Sequence, residues 1–151
     1  MFSDTEPKNA HYFSMDDDEL ISRLEPRTFE LENQTWHSVE HYYQSKKFEN
    51  ASYQALVATS ETPQKARKYG KTWLHRKVKK WPEKRVVMMT RAVYTQCKTY
   101  PELAQKLLDT EDQMLVENSQ FDYFWGCGRD HRGENQYGKM LMGVRSKLRE
   151  S

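Results

Sequence analysis

Cysteine is scarce in this sequence, which has Cys97 and Cys127 and no others among its 151 residues. Neither cysteine stands at the spacing of a metal-binding motif. Cys97 falls in a predicted helix and Cys127 in a glycine-rich loop. This pattern argues against a disulfide framework, and we expect both residues to be reduced thiols of an intracellular protein.

Long hydrophobic runs are missing as well. Hydrophobic residues make up 36% of the chain, and the mean hydropathy is −1.02. No stretch approaches the roughly 20 apolar residues that span a membrane. The first residues, MFSDTEPKNAHYF, lack the basic start and apolar run of a secretion signal. These absences predict a cytoplasmic protein with no membrane partner.

The sequence also carries little net charge, since 24 basic residues nearly balance 22 acidic ones to give +2. Such a balance provides no molecule-wide field for nucleic acids or membranes, so any anion site must be local. Aromatic residues, by contrast, reach 13%, which is high for so polar a chain and indicates a compact fold. Because the chain shows no repeat or linker, its length predicts a single domain over residues 1–151.

Turn and capping residues divide the chain into short helices and a small sheet. Residues 27–36 alternate around Phe29 and Leu31, which predicts a β-hairpin. Ser38 is placed to cap a helix over 39–48. Prolines mark the starts of three further helices, at Pro63, Pro82 and Pro101. A strand is predicted after them, over residues 114–117.

Two predicted helices show an apolar face at helical spacing. In the helix that begins at Pro82 this face contains Val86, Met89, Val93 and Cys97. In the last helix, which Asn135 is placed to cap, it contains Tyr137, Leu141, Val144 and Leu148. The whole pattern predicts an α+β fold that is mainly helical, with a small antiparallel sheet.

A polar stripe on the helix over 39–48 is the first candidate site. Glu40, Gln44 and Lys47 stand at i, i+4 and i+7 and therefore share one helix face. A carboxylate, an amide and an ammonium so placed can polarise a sugar, position a water and balance developing charge. By itself the spacing favours an ordinary solvated face, with Lys47 near the helix C-terminus where a cation is stabilised anyway.

The glycine-rich loop over 121–139 is the second candidate. Glycines such as Gly126 allow backbone amides to approach a ligand closely. Trp125 or Tyr123 can stack on a planar base, and Asp122 adds a carboxylate. The alternative is an ordinary surface loop in which Trp125 fills the core and Asp122 caps a turn. The residues by themselves leave both interpretations open.

A basic run over 76–85, with Trp73 and Trp81 around it, is the third candidate. Basic side chains interleaved with aromatic ones can bind nucleic acid or phosphate. The run is short, however, and Trp81 suits packing against the following helix, so a solvated surface is favoured. His37 and His41 form an i, i+4 pair without a third ligand at useful spacing, and we predict no metal site.

The chain resembles the NADAR (YbiA-like) family along nearly its whole length. QTWHSVEHYYQSKKF is similar to the family signature, in which a Trp precedes a Glu-His-Tyr-aromatic-Gln helix ending in Lys-Phe. GENQYGKMLMGVRSKL is similar to the family's Gly-x-Asn-x-x-Gly-x-x-Leu-Met-x-x-Arg ending. The matching segments, in family order, are 34–48, 65–71, 89–92, 101–110, 115–128 and 133–148. The resemblance implies the fold of that family.

The resemblance also implies an activity. It points to an N-glycosidase that cuts the ribose–nitrogen bond of phosphoribosylamino-pyrimidine intermediates of riboflavin biosynthesis and releases ribose 5-phosphate. The partner is then a small phosphorylated ribosylamine, and no metal or organic cofactor is required. One alternative is an ADP-ribosyl glycohydrolase acting on ADP-ribosylated nucleobases, the one case with nucleic acid as a partner. Another is a non-catalytic module that binds ADP-ribose or a nucleotide. The oligomeric state stays open.

Three residues at family-matching positions are candidates for catalysis. Breaking a ribosyl C–N bond builds positive charge on the sugar and negative charge on the departing nitrogen. Glu40 is expected to stabilise the positive charge or activate water, and Asp122 to hold the ribose hydroxyls or transfer a proton. Lys47 either pairs electrostatically with Glu40 and substrate or, if burial lowers its pKa, forms a Schiff base with a ring-opened ribose.

The other candidates are expected to bind substrate. Trp125 is expected to stack on the pyrimidine, with Trp36 as a second wall. Asn135 is expected to fix the loop by capping the last helix rather than to touch substrate. Arg145 is either a phosphate ligand or part of an ion pair that ties the last helix to the core. The binding set is Trp36, Gln44, Arg67, Lys71, Trp125, Gly126, Asn135 and Arg145, in which Arg67 and Lys71 serve the phosphate.

The chain departs from the family pattern at two places. A Leu-Ser-Asn-Phe element that the family usually carries is Ile21-Ser22-Arg23-Leu24 here, and a common Lys-Phe pair is Gln96-Cys97. A guanidinium in place of an amide changes how a substrate is held and suits a larger anionic ligand. The departures leave the predicted fold unchanged and bear on the identity of the substrate.

Overall fold

The structure, a computed structural model, describes residues 9–151. Over that range the chain forms helices and short strands in an α+β arrangement that is mainly helical. The elements are β1 Ala10–Phe13, β2 Phe29–Leu31, β3 Gln34–Trp36, α1 Val39–Lys46, α2 Ala51–Ala58, α3 Pro63–Tyr69, α4 Trp81–Thr99, α5 Pro101–Leu108, β4 Met114–Glu117 and α6 Gln136–Glu150. No helix over residues 9–151 is long and apolar enough to cross a membrane.

Residue packing groups these elements into two compact units. The central unit is Arg23–Tyr100, and the terminal unit joins the described residues before Arg23 to Pro101–Ser151. Cys97 lies in the central unit and Cys127 in the terminal unit, and both are buried free thiols. The single domain over residues 1–151 remains a prediction.

Local caps set the starts of the first three helices in the central unit. The Ser38 hydroxyl accepts from the His41 backbone N–H at 3.1 Å, so α1 begins where the sequence predicted. Thr62 caps α3 in the same way. The Asn50 carboxamide accepts from the Tyr53 N–H at 2.9 Å and starts α2, a helix that the sequence analysis did not predict.

The predicted hairpin is present in the central unit. Strands β2 and β3 pair antiparallel, with Phe29 opposite Trp36. Glu32 and Asn33 both adopt positive φ, 57° and 62°, as a type I′ turn requires. The Glu32 side chain accepts from Tyr42 Oη at 2.9 Å and from Arg91 Nη1 at 2.8 Å. These contacts tie the turn to α1 and α4.

Helix α1 is the centre of this unit because α2, α3 and α4 all pack against it. Its residues from Val39 to Ser45 are therefore all buried, polar ones included. Around it the buried apolar side chains include Phe29, Trp36, Tyr42, Phe48, Val57, Ala66, Met89 and Val93. A helix so enclosed cannot present a solvated face over those residues.

In the terminal unit, β1 and β4 form a parallel pair, with Ala10 opposite Met114 and Phe13 opposite Glu117. The sequence predicted β4 at these residues but expected only antiparallel pairing. Helix α6 packs against β4 and α5. Its predicted apolar face is confirmed, since the following side chains are buried: Tyr137, Leu141, Val144 and Leu148.

Candidate active site

Two residues of the polar stripe, Glu40 and Gln44, form a hydrogen-bonded pair inside the central unit. Glu40 is 0% exposed and Gln44 is 6% exposed. Gln44 Nε2 donates to Glu40 Oε1 at 2.6 Å. The solvated face that spacing alone favoured is therefore wrong for these two residues. Burial matters chemically, because charges in a low-dielectric interior interact more strongly than charges in water.

Arg23 lies against the second oxygen of Glu40. Its Nε is 3.4 Å from Glu40 Oε2, and its side chain is 6% exposed. The Arg23 carbonyl also accepts from the Glu40 backbone N–H at 3.1 Å. Sequence analysis noted Arg23 as a departure from a family motif and did not place it beside the carboxylate. The departure itself was the signal, since a guanidinium at a buried position requires an anion nearby.

Lys47 is half-buried at the other end of the stripe. Its Nζ donates to the Gly70 carbonyl at 2.6 Å. Burial lowers the pKa of Lys47 to about 8, and the positive charges of Lys77 and Arg85 act in the same direction while Glu40 opposes them. A substantial fraction of this amine is therefore neutral near pH 8.

Gly70 contributes to the arrangement of Glu40 and Gln44, a contribution that was not predicted from the sequence. It occupies the C-cap position of α3, with φ of −65° and ψ of −15°, which any residue can adopt. A Cβ at this position would overlap the Gln44 carboxamide oxygen. Glycine is therefore needed here for space, and it lets Gln44 reach Glu40.

We expect Gly70→Ala to displace the Gln44 side chain and break its hydrogen bond to Glu40. Loss of that buried bond should lower the free energy of unfolding by about 1–2 kcal/mol. Urea unfolding of the purified variant measures the change.

Gln44→Ala supplies the matched background for this test. With the carboxamide gone, adding Gly70→Ala should cost little more, so the two changes should be strongly non-additive. Additive effects would show that residue 70 does not act through Gln44.

Trp36 is enclosed rather than open to a ligand. It is 2% exposed. Its Nε1 donates to the Leu31 carbonyl at 3.0 Å, and its ring meets Tyr42 edge-on at 5.0 Å. The expected second wall for a base is corrected accordingly: Trp36 pins the hairpin against α1.

His41 is likewise committed to the protein. Its Nε2 donates to the Ser60 carbonyl at 3.0 Å, and Nδ1 lies 2.7 Å from Ser38 Oγ. Burial lowers the pKa of His41, against the opposing effect of the Ser60 bond. Over residues 9–151 no group of three potential ligands among His, Cys, Asp and Glu is arranged to hold a metal ion.

The phosphate candidates flank the end of α3. Arg67 is half-buried in the last turn of α3, and Lys71 is exposed just after it. The end of α3 is anchored, since Tyr53 Oη donates to the Tyr69 carbonyl at 2.6 Å. Trp73 beyond it is 89% exposed. The central unit thus offers cations and an open aromatic ring within a few residues of Gly70.

Trp81 in the basic run packs inward. It is 5% exposed and its ring lies 5.2 Å from that of Tyr43. Trp81 is therefore a packing residue, but it begins α4 and its ring meets α1 rather than the following helix that the sequence had predicted. Of the pair, only Trp73 is available to a ligand.

In the terminal unit, Asp122 and Trp125 organise the loop. Asp122 Oδ1 accepts from the backbone N–H groups of Phe124 and Trp125 at 3.0 and 2.8 Å. Trp125 is 5% exposed and meets Tyr137 edge-on at 6.3 Å. The structure supports the reading in which Trp125 fills the core and Asp122 caps a turn. Tyr123, at 47% exposed, is the more accessible aromatic ring.

The glycines of this loop serve its own backbone. Gly128 N donates to the Ser119 carbonyl at 3.0 Å, and Gly133 N donates to the Cys127 carbonyl at 2.7 Å. A Cβ at Gly126 would overlap Glu117 Oε2. The backbone at Gly126 therefore does need a residue without a Cβ, as expected for close approach. The group that approaches it is the Glu117 carboxylate of the protein, not a ligand.

Asn135 does not cap α6 as predicted. It occupies the N-cap position with φ of 51° and makes no side-chain cap bond. Its Oδ1 instead accepts from Glu117 N, and its Nδ2 donates to the Leu115 carbonyl, both at 2.9 Å. The carboxamide therefore fixes the loop by bonding the backbone of β4.

Arg145 is buried in α6. It is 6% exposed, and its Nη1 donates to Thr110 Oγ1 at 2.8 Å. This contact ties α6 to the segment that follows α5. It fits the structural alternative that the sequence left open for Arg145, although the partner is a hydroxyl rather than a carboxylate.

Comparison with known proteins places these features in a family. The model described as the NADAR domain matches residues 1–149. An N-glycosidase of Nostoc punctiforme is 35% identical over 132 residues, covering 85% of each chain. A riboflavin biosynthesis protein of Vibrio vulnificus is 32% identical over 145 residues, which are 96% of this chain but 38% of that longer protein. The NMR structure of Escherichia coli YbiA superposes with a TM-score of 0.84 at 26% identity, covering 95% of this chain and 88% of that one. The chain therefore belongs to the NADAR family and has the fold of YbiA.

Proposed function

We propose that this chain is an N-glycosidase that hydrolyses the ribose–nitrogen bond of phosphoribosylamino-pyrimidine intermediates of riboflavin biosynthesis and releases ribose 5-phosphate. The observation that carries the proposal is the stripe Glu40–Gln44–Lys47, in which a buried carboxylate held by Gln44 acts electrostatically on a half-exposed amine of lowered pKa. Relatives named as an N-glycosidase and as a riboflavin biosynthesis protein support the reaction and the substrate class.

Glu40 supplies the negative charge that the reaction needs. As the bond to nitrogen breaks, positive charge grows on the ribose ring, and a carboxylate held in a low-dielectric interior stabilises it through space. Because Glu40 is 0% exposed, this electrostatic role suits it better than direct activation of a bulk water. Gln44 fixes the orientation of the carboxylate through Oε1.

Lys47 is the member of the stripe that a substrate reaches most directly, since it alone of the three is half-exposed. A neutral amine is a nucleophile. We place its attack at C1 of the ribose: the new N–C1 bond forms as the C1–N bond to the base breaks, and one amine proton goes to the departing nitrogen. The C1–O4 bond then opens as the second amine proton goes to O4, which leaves the open-chain sugar held on Lys47 as an imine. Water then hydrolyses the imine and returns the amine and ribose 5-phosphate.

The phosphate is assigned to other residues of the central unit. Arg67 and Lys71 at the end of α3 are proposed for the phosphate, because a guanidinium and an exposed ammonium suit its charge.

The direct test is release of ribose 5-phosphate by the purified protein from the phosphoribosylamino-pyrimidine. We expect catalytic release that needs no added metal. Tight binding of this compound without product would contradict the enzyme assignment and favour a binding module. Inactivity on it, together with cleavage of an ADP-ribosylated base, would reassign the substrate.

A second candidate function, ADP-ribosyl glycohydrolase, is favoured by one surface feature. Trp73 and Leu74 are 89% and 71% exposed, and Lys71, Arg76 and Lys77 close to them in sequence are exposed cations. An open aromatic ring among cations suits a ligand with a second base and further phosphates. Trp73→Ala should then raise the KM for an ADP-ribosylated oligonucleotide and leave the kinetics of the pyrimidine reaction unchanged. Equal KM values for the variant and wild type would remove this feature as support.

A further inference from the structure

Arg23 and Glu40 form a two-point junction at the start of α1. The side chains meet through Nε and Oε2 at 3.4 Å. The main chains meet through the Arg23 carbonyl and the Glu40 N–H at 3.1 Å. The backbone contact does not depend on the side chain at position 23. Substitution there can therefore remove the charge while keeping the segment docked on the helix.

The two oxygens of Glu40 have different surroundings. Oε1 accepts a short hydrogen bond from Gln44. Oε2 is buried and, among the residues that the structure describes, receives no hydrogen bond; its near neighbour is the Arg23 guanidinium. A carboxylate enclosed in protein is costly to keep ionised without a countercharge. Arg23 supplies this countercharge, on the side of the carboxylate opposite Gln44.

We propose that Arg23 is a positioning residue that holds the Glu40 carboxylate turned so that Oε1 faces Gln44. This inference rests on the proposed function for its effect on turnover. Arg23 itself does not touch the reacting atoms. It acts through Glu40, because a carboxylate that rotates away no longer presents its charge to the sugar.

The expected signature is a fall in kcat with little change in KM. Arg23→Gln should lower kcat roughly 10- to 100-fold, while KM should stay within about twofold because the phosphate contacts proposed at Arg67 and Lys71 do not involve Arg23. Arg23→Lys should recover most of the loss, since it restores a positive charge at the same place. A residue needed only for folding would lower the amount of active protein and the melting temperature without this pattern.

Arg91→Gln is the matched control. Arg91 is also an arginine paired with a glutamate in the central unit, at 2.8 Å from Glu32 Oε1, but it does not contact Glu40. We expect wild-type kcat from this variant. Equal losses in Arg23→Gln and Arg91→Gln would overturn the proposal, because the effect would then be a general consequence of removing an arginine–glutamate ion pair from the central unit.

A second readout does not depend on any substrate. The side-chain amide resonances of Gln44, assigned by their disappearance in Gln44→Ala, report the position of the carboxylate that accepts from Nε2. These resonances should move in Arg23→Gln, move back in Arg23→Lys and stay in place in Arg91→Gln. Unchanged resonances in Arg23→Gln would overturn the positioning role. If wild type releases no sugar, the proposed function fails, and a moved Gln44 signal still supports the role of Arg23.

Discussion

Glu40→Gln should leave the chain folded and lower kcat for ribose 5-phosphate release at least about 100-fold. The amide keeps the shape of the carboxylate and can still accept from Gln44, but it carries no charge to stabilise the developing ribose cation. It also leaves the Arg23 guanidinium without the anion now 3.4 Å away. Breaking a buried pair costs about 3–5 kcal/mol, so the melting temperature should fall while the fold persists.

The control for this variant is Glu49→Gln, which removes one negative charge from an exposed position just after α1. It should retain wild-type kcat and melting temperature. Turnover is measured on protein shown to be folded by circular dichroism at the assay temperature. Wild-type turnover by Glu40→Gln would remove this residue from the catalytic assignment, whatever its effect on stability.

The helix starts could be predicted because their causes are local. Ser38 and Pro63 act on backbone groups within one turn, so the sequence contains everything needed to place α1 and α3. Helix α2 was missed because its apolar residues do not form a one-sided stripe that spacing would reveal. The parallel pairing of β1 with β4 was missed for a different reason: it joins distant segments, and Ala10–Phe13 is too short to carry a periodic signal.

The sequence predicted which residues of α1 share a face, but not that this face is buried. Glu40, Gln44 and Lys47 share a face as their spacing requires, but spacing cannot say that α2, α3 and α4 cover that helix. Burial changed the reading of Trp36 and Trp125 for the same reason, because an aromatic ring in a motif suits a core as well as a ligand. Asn135 was predicted to cap α6, but its backbone is left-handed and its carboxamide bonds the backbone of β4 instead. Capping rules consider neighbouring residues only and could not predict this contact.

Lys47→Met should abolish measurable turnover, with a fall in kcat of at least about 100-fold. Methionine fills a similar volume and suits the half-buried position, so the loss would reflect chemistry more than packing. In wild type the amine is protonated well below its pKa of about 8 and neutral well above it. If the neutral amine attacks C1, kcat should therefore rise with pH through about 8 and level off beyond it.

Reduction during turnover gives a covalent readout of the same step. Borohydride converts an imine to a stable amine, so wild type treated with substrate and borohydride should carry the reduced ribose 5-phosphate on the peptide that contains Lys47. Lys46→Met is the matched control, because Lys46 is the neighbouring lysine of α1 and pairs with Glu32 instead. This variant should label and turn over like wild type.

Two outcomes would contradict the assignment of Lys47 as the nucleophile. Absence of label, with kcat falling as pH rises through about 8, would assign Lys47 the other role, that of an ammonium balancing charge beside Glu40. Full activity in Lys47→Met would exclude both roles and move the search for the reacting group away from the α1 stripe.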